Sequence, residues 1–185
     1  MFPEISLHIL DIVQNSIKAG ADFIEVKIAV HTDTKRIRVE VNDNGRGMSR
    51  EQVAACENPF FTSRTTRKVG LGIPFLKQSA ECTNGTFFIS SMEGQGTRIS
   101  AEYHMDHIDC IPIGDINATI YSLVIMNENL DFFYQYQVDA RQFVFDTRAI
   151  REMIGDISIN SIEISSFIRE FLDENKKEVD NGNFF

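Results

Sequence analysis

His8-Ile-Leu-Asp11-Ile-Val-Gln-Asn15-Ser-Ile-Lys18-Ala-Gly20 reads as one amphipathic helix that carries its chemistry on the polar side. At about 100° per residue, Asp11, Asn15 and Lys18 fall on one stripe, while Ile9, Leu10, Val13 and Ile17 gather opposite them. Gly20 is placed to end the helix. Taken alone, a carboxylate, an amide and an ammonium at this spacing also fit a solvated face with an i,i+4 polar pair. The segments that follow decide between the two.

Next comes Asp22-Phe-Ile-Glu-Val-Lys-Ile-Ala-Val, which alternates apolar and polar residues, then a turn at Thr32-Asp-Thr-Lys35, then a second alternating run from Arg36 to Val41. This is a β-hairpin pattern. Its second strand runs into Asn42-Asp43-Asn44-Gly45-Arg46-Gly47-Met48, a Gly-x-Gly loop led by an acid. Ser49 is placed to cap a helix opening at Arg50.

A second glycine loop closes the stretch from Asn58 to Ile73, whose middle is polar and basic: Phe60-Phe61-Thr62-Ser63-Arg64-Thr65-Thr66-Arg67-Lys68-Val69-Gly70-Leu71-Gly72-Ile73. A helix follows through Pro74, tolerated in a first turn because its missing N–H would be unpaired there anyway. Gly70 and Gly72 would then offer backbone amides at a helix N-terminus, where anions bind. Two more strands, Gly85–Ser91 and Thr97–Tyr103, flank a third glycine turn at Met92-Glu-Gly94-Gln-Gly96. Any one of these loops is ordinary turn chemistry. In order, behind the Asp/Asn helix, they are no longer independent.

Composition bounds the rest. A chain of 185 residues, 43% hydrophobic, can bury a core and predicts one domain, or one domain with an appendage. It has no apolar run of membrane-spanning length and no signal-peptide pattern, and Met1-Phe-Pro leads straight into the helix, so no upstream domain is expected. Cys56, Cys82 and Cys110 lack a CxxC pair and fit reduced thiols of a cytoplasmic protein better than disulfides or a zinc site. The net charge of −9 lies wholly in residues 104–185, which hold 6 Lys/Arg and 15 Asp/Glu against 12 and 12 in residues 1–103. That imbalance argues against sequence-independent nucleic-acid binding, which needs cations to neutralise phosphates.

With these motifs in hand, residues 5–105 resemble the GHKL superfamily of ATP-binding domains found in gyrase, heat-shock chaperones, histidine kinases and mismatch-repair proteins. Asp11-Ile-Val-Gln-Asn15 matches the N box and Asp43-Asn-Gly45-Arg-Gly47 the first glycine box. Phe60-Phe61-Thr62-Ser63-Arg64 looks like the phenylalanine box, Gly70-Leu71-Gly72 matches the second glycine box, and Gly94-Gln-Gly96-Thr97 resembles the last. The resemblance implies an α+β fold: a two-layer sandwich of the Bergerat type, with a mixed sheet and helices on one face, over residues 1–105.

The resemblance also implies ATP and Mg²⁺ as ligands. Asn15 would coordinate Mg²⁺, a hard oxygen donor for a hard cation. Asp43 would accept a hydrogen bond from the adenine amino group, Gly45 and Gly47 would let the backbone approach the base beside Met48, and Thr97 would add a hydrogen bond. Lys18 would meet a phosphate oxygen. Gly70, Leu71 and Gly72, followed by Ile73, would cradle the phosphates. Phe61, Thr62, Arg64, Arg67 and Lys68 lie in the lid segment, where a solvated basic loop is the plainer alternative.

Two departures direct the functional reading. The lid between Phe61 and Gly70 is short, unlike the long lids of gyrase and the chaperones, and points to the kinase branch. The dimerisation helices and phosphoacceptor histidine of a sensor kinase are not found, and His8, His31, His104 and His107 fit structural or surface roles. Any acceptor is therefore expected to be another protein, as in the serine kinases that control anti-sigma-factor antagonists. Asp11 stands where the hydrolytic and serine-kinase members carry a glutamate base. It would orient a hydroxyl or a water for attack on the γ-phosphate, or be structural.

Residues 106–174 predict an acidic α/β appendage: a helix over 115–126, an aromatic hairpin split at Asp139-Ala140, and helices at 147–154 and 162–172. It would serve a protein partner or a homodimer, or simply extend the sheet. Residues 175–185 predict a disordered tail. Two functions compete: a kinase acting on a separate protein, and a nucleotide switch that binds and hydrolyses ATP without phosphorylating a protein.

Overall fold

In a computed structural model describing residues 2–56 and 72–183, the alternating runs become one six-stranded mixed sheet. The elements are α1 (Ile5–Lys18), β1 (Phe23–His31), β2 (Arg36–Asp43), α2 (Arg50–Cys56), α3 (Gly72–Glu81), β3 (Thr86–Met92), β4 (Gly96–His104), α4 (Ile116–Met126), β5 (Asp131–Val138), β6 (Arg141–Asp146), α5 (Thr147–Ile154) and α6 (Ile162–Asp180). The strand order is β3-β4-β2-β1-β5-β6. Among the described strands, only the β1–β5 pair is parallel.

Alternation sorts each strand's side chains between two faces. Ile24, Val26, Ile28 and Val30 of β1, Ile37, Val39 and Val41 of β2, and Phe132, Tyr134, Tyr136 and Val138 of β5 are buried. They pack beneath α1, α4 and α6, with α3 covering β3 and β4. The opposite rows carry ion pairs instead: Lys27 to Glu25 at 2.7 Å, Arg38 to Glu40 at 2.8 Å, and Arg98 to Glu40 at 3.2 Å. Such exposed pairs add little stability and keep the uncovered face wetted. The result is the expected α+β two-layer sandwich with helices on one face.

The opening helix differs from its sequence reading in phase. It starts at Ile5, and its buried seam is Ile5, Ile9, Ile12, Val13 and Ser16, whereas Leu10 and Ile17 are only half-buried. The start was hidden because Glu4 gives no side-chain cap. Instead Ile5 N–H and Ser6 N–H donate to the carbonyls of Pro112 and Ile113, each at 2.9 Å, so a distant segment satisfies the helix's orphan donors. By contrast the Ser49 cap is local: Ser49 Oγ accepts from Gln52 N–H at 3.3 Å and Gln52 Oε1 accepts from Ser49 N–H at 2.9 Å.

For the second half the sheet-extending alternative is the one observed, and the expectation for the tail is corrected. The part beyond residue 105 does not stand apart, because β5 runs alongside β1 from Phe23↔Asp131 to Val30↔Val138 and the two halves share one sheet and one core. Residues 175–180 are not a disordered tail but the last turns of α6. Val179 and Asp180 are buried, and Lys176 Nζ reaches Asp180 at 2.6 Å while lying 5.0 Å from the Tyr136 ring. A part-buried ion pair over an aromatic face, with Val179 in the core, accompanies helix where composition alone suggested fraying.

Candidate functional site

The residues expected to carry chemistry converge where α1 crosses the ends of β2 and β4. Asn15, Lys18, Asp43, Gly47, Met48, Ile73 and Thr97 line one cleft of about 300 Å³. Ile12, Ser16, Ala19, Arg46, Cys56 and Ile99 complete its wall. A larger cavity of about 600 Å³ lies elsewhere, between residues 112–117 and the end of α6, and gathers none of the expected motif residues. Phe60 to Leu71, with the expected Phe61, Thr62, Arg64, Arg67, Lys68, Gly70 and Leu71, lie outside the described residues.

Asp43 anchors one end of the cleft. It closes β2, and both its carboxylate oxygens are held: Oδ2 accepts from Ser16 O–H at 2.6 Å, and Oδ1 accepts from Gly45 N–H at 2.9 Å. A charge-assisted bond this short fixes the carboxylate's direction. Gly45 therefore acts from behind the wall. Ser16 was missed in the sequence. The signal was a hydroxyl on an otherwise apolar helical seam, a position tolerated only with a buried partner.

The loop after Asp43 is pinned on both sides. Arg46 N–H donates to Ala19 O at 3.0 Å, Gly94 N–H donates to Arg46 O at 2.7 Å, and Met48 N–H donates to Ser91 Oγ at 2.8 Å. Asn44 Oδ1 accepts from Asp22 and Phe23 N–H, both at 3.0 Å. Gly47 has φ +66°, and a Cβ there would stand 1.9 Å from the Met92 carbonyl oxygen. Only glycine fits, so the loop is preformed.

Asp11 and Asn15 stand one turn apart on α1, and Asn15 lines the cleft. Asn15 Nδ2 donates to Asp11 Oδ2 at 3.3 Å. The amide nitrogen is thereby committed, which leaves the amide oxygen as the donor available to a hard cation. Asp11 does not line the cleft. Its carboxylate packs against Gly72, the first residue of α3, where a Cβ would come within 1.8 Å of Oδ2. The negative charge is thus held at a helix N-terminus, its favourable end.

Electrostatically, the wall carries Lys18 and Arg46 against one carboxylate, although the chain as a whole is acidic. Ile12, Met48, Ile73 and Ile99 make the lining between them apolar, with Cys56 Sγ 3.9 Å from Met48 Sδ. An apolar slot with fixed acceptors at one end and cations on the rim suits a flat heteroaromatic group joined to a polyanion. Among the described residues no group of three His, Cys, Asp or Glu could hold a metal. A cation here would take one protein oxygen, from Asn15, and the rest from ligand and water, as Mg²⁺ does. His8 has no place in this chemistry: it is fully buried, neither ring nitrogen has a partner, and burial lowers its pKa to about 4.

Comparison with known proteins agrees with this geometry. Residues 4–107 match the family described as histidine kinase-, DNA gyrase B-, and HSP90-like ATPase. Sensor protein DegM of Bacillus sp. (strain B21-2) is 31% identical over 91 residues, covering 49% of this chain and 24% of DegM. Sensor histidine kinase ZraS of Escherichia coli O157:H7 is 26% identical over 92 residues, covering 50% and 20%. DNA mismatch repair protein MutL of Microcystis aeruginosa is 40% identical over 58 residues, 31% of this chain and 10% of that protein. The chain therefore matches a quarter or less of the length of each of these three relatives. Among solved structures, the Aquifex aeolicus MutL ATPase domain complexed with ADP aligns over 99% of both chains with a TM-score of 0.51 at 13% identity, a likeness of fold.

Proposed function

Since the chain belongs to the family of histidine kinase-, DNA gyrase B- and HSP90-like ATPases, we propose that this cleft binds Mg-ATP and passes the γ-phosphate to a separate protein. The single observation that carries the reading is Asp43, an acceptor locked by Ser16 and Gly45 in a largely apolar slot that Asn15 and Lys18 also line.

Each residue then has one task. Asp43 accepts from the adenine amino group, and Thr97 adds a second acceptor. Met48, Ile73 and Ile99 cover the ring faces, since a preformed apolar slot costs no reorganisation on binding. Lys18 meets a phosphate oxygen at the rim. Asn15 would hold a magnesium ion, whose charge would offset that of the phosphates. Asp11 receives the proton of the attacking hydroxyl as its oxygen bonds to the γ-phosphorus. The bridging P–O bond breaks at the same time, leaving its electron pair on ADP. Gly72 keeps Asp11 at the α3 N-terminus, beside the segment that would receive the phosphates.

The acceptor is read as lying outside these 185 residues because none of their histidines is placed to serve. His8 is sealed in the core, and His31, His104 and His107 are half-buried on the sheet and its flanking turn. The acidic C-terminal half offers a surface for that partner or for a second copy of the chain, and no nucleic-acid role is proposed. No helix among the described residues is long and apolar enough to cross a membrane. The spacing of its three cysteines, without a CxxC pair, supports a cytoplasmic setting.

The second reading, a nucleotide switch, draws on the contact between Asp11 and Gly72, which couples α1 to the first residue of α3. Incubation with γ-labelled ATP and Mg²⁺, with and without lysate from the source, separates the two. Label on protein supports the kinase; label released only as phosphate overturns it and leaves an ATPase switch. Asp43→Asn places an amide before the adenine amino group and is expected to abolish ATP binding. Intact binding would overturn the assignment of the adenine end.

A further inference from the structure

Three polar residues stand in a row across the sheet at the Asp43 end of the cleft. Asp43 on β2 is directly opposite Thr97 on β4, and Thr97 is directly opposite Ser91 on β3. Opposed residues share a face, so all three side chains point the same way. Thr97 lines the cleft; Ser91 stands behind it.

The Ser91 hydroxyl makes three contacts: 2.8 Å to the Gly96 carbonyl oxygen, 2.8 Å to Met48 N–H, and 2.9 Å to Thr97 Oγ1. A hydroxyl has one proton and two lone pairs. The carbonyl of Gly96 brings no proton, so the hydrogen between it and Ser91 is Ser91's own. Met48 N–H occupies one Ser91 lone pair. What remains on Ser91 is a single lone pair, so the proton in the Ser91–Thr97 contact belongs to Thr97. A threonine that donates backwards shows only lone pairs to the cleft. Asp43, with Ser16 and Gly45 as its donors, likewise shows only acceptor sites.

We propose that Ser91 is a specificity-determining positioning residue: by taking up the Thr97 proton it makes this end of the cleft an acceptor-only wall, which admits a 6-aminopurine and rejects a 6-oxopurine. The proposal rests on the nucleotide reading of the cleft. The amino group of adenine brings two protons to two acceptors. The 6-oxo group brings lone pairs to the same place, and a buried acceptor facing acceptors is left unpaired, the situation from which polar sites draw their strongest discrimination. Once freed from Ser91, Thr97 can turn its hydroxyl and donate to that oxygen.

The test measures equilibrium binding of ATP and of inosine triphosphate, which differ at the 6-position, to the full chain as wild type, Ser91→Ala and Ser91→Thr. Wild type is expected to prefer ATP by ~100-fold or more, and Ser91→Ala to narrow that ratio by ~tenfold, about one hydrogen bond's worth. Ser91→Thr keeps the hydroxyl and is expected to restore the ratio. ATP affinity itself also falls in Ser91→Ala, because Met48 N–H loses its acceptor, so the ratio is the deciding quantity. Parallel loss of both ligands with an unchanged ratio would overturn the proposal and leave Ser91 a support of the loop. Should Ser91→Ala not fold, Ser91→Cys, similar in size and a weaker acceptor, must narrow the ratio in the same direction or the proposal fails. Wild type that binds neither triphosphate would instead overturn the nucleotide reading.

Discussion

Acidification is expected to weaken the fold through one residue on the helix that carries the site. His8 lies fully buried one turn before Asp11, edge-to-face with Phe2 at 5.0 Å, and neither ring nitrogen has a partner. Burial lowers its pKa from 6.5 to about 4. The unfolded chain therefore binds a proton near pH 6.5 that the folded chain refuses until about pH 4, and stability falls with pH across that window. Above pH 6.5 both states are neutral and His8 adds no pH dependence; below pH 4 both are charged and the loss is complete. A gap of about 2.5 pKa units at 1.36 kcal/mol each sets a ceiling of about 3 kcal/mol, a large part of the few to fifteen kcal/mol that holds a domain together. Urea denaturation of wild type and His8→Leu, from pH 7.5 down to 4, isolates the effect. The carboxylates held low in the fold, Asp146 by Arg148, Asp139 by Thr32, and Glu25 by Lys27 and Asn42, are common to both chains and cancel in the difference. The variant is expected to lose less stability than wild type between pH 6.5 and 4. Parallel curves would refute the assignment of a neutral, unpartnered His8.

Three further outcomes concern the cleft. Gly47→Ala drives a Cβ into the Met92 carbonyl at positive φ and is expected to cost about 2 kcal/mol or more in urea denaturation, with loss of ATP binding in calorimetry. Ser16→Ala removes the 2.6 Å donor from Asp43 and is expected to weaken ATP binding ~tenfold, measured in the same calorimeter, with Ser16→Thr recovering part of it. Asp11→Asn is expected to leave ATP affinity within a few-fold of wild type while reducing γ-phosphate turnover by ~100-fold or more, the scale of a lost general base; unchanged turnover would make Asp11 structural.

What the sequence made legible was local chemistry. The β1–β2 hairpin, the Ser49 cap and the turn at Asp139-Ala140 follow from period, capping and turn residues within a few positions of one another. The glycine boxes were legible as an ordered set, and Asn15, Asp43 and Thr97 do meet in space. What escaped was decided at a distance. The start of α1 depends on carbonyls more than a hundred residues away, and Ser16 makes sense only once Asp43 lies against it. The parallel pairing of β1 with β5 leaves no trace in the period of either strand. Ser91 was hidden differently: its role needs the register of β3 against β4 and a count of protons.

The acceptors offered to α1 by Pro112 and Ile113, together with the β5 strand lying along β1, bear on how this protein can be dissected. The family match ends at residue 107, which invites trimming the chain to a minimal nucleotide-binding unit. That cut would bare the flank of β1 over eight register positions and strip two N–H groups of the site helix of their acceptors. An uncovered, apolar strand flank is a template for aggregation. Work on the cleft therefore needs the residues beyond 107 as well: the C-terminal half acts as a keel, and a module widely reused elsewhere is here welded to it.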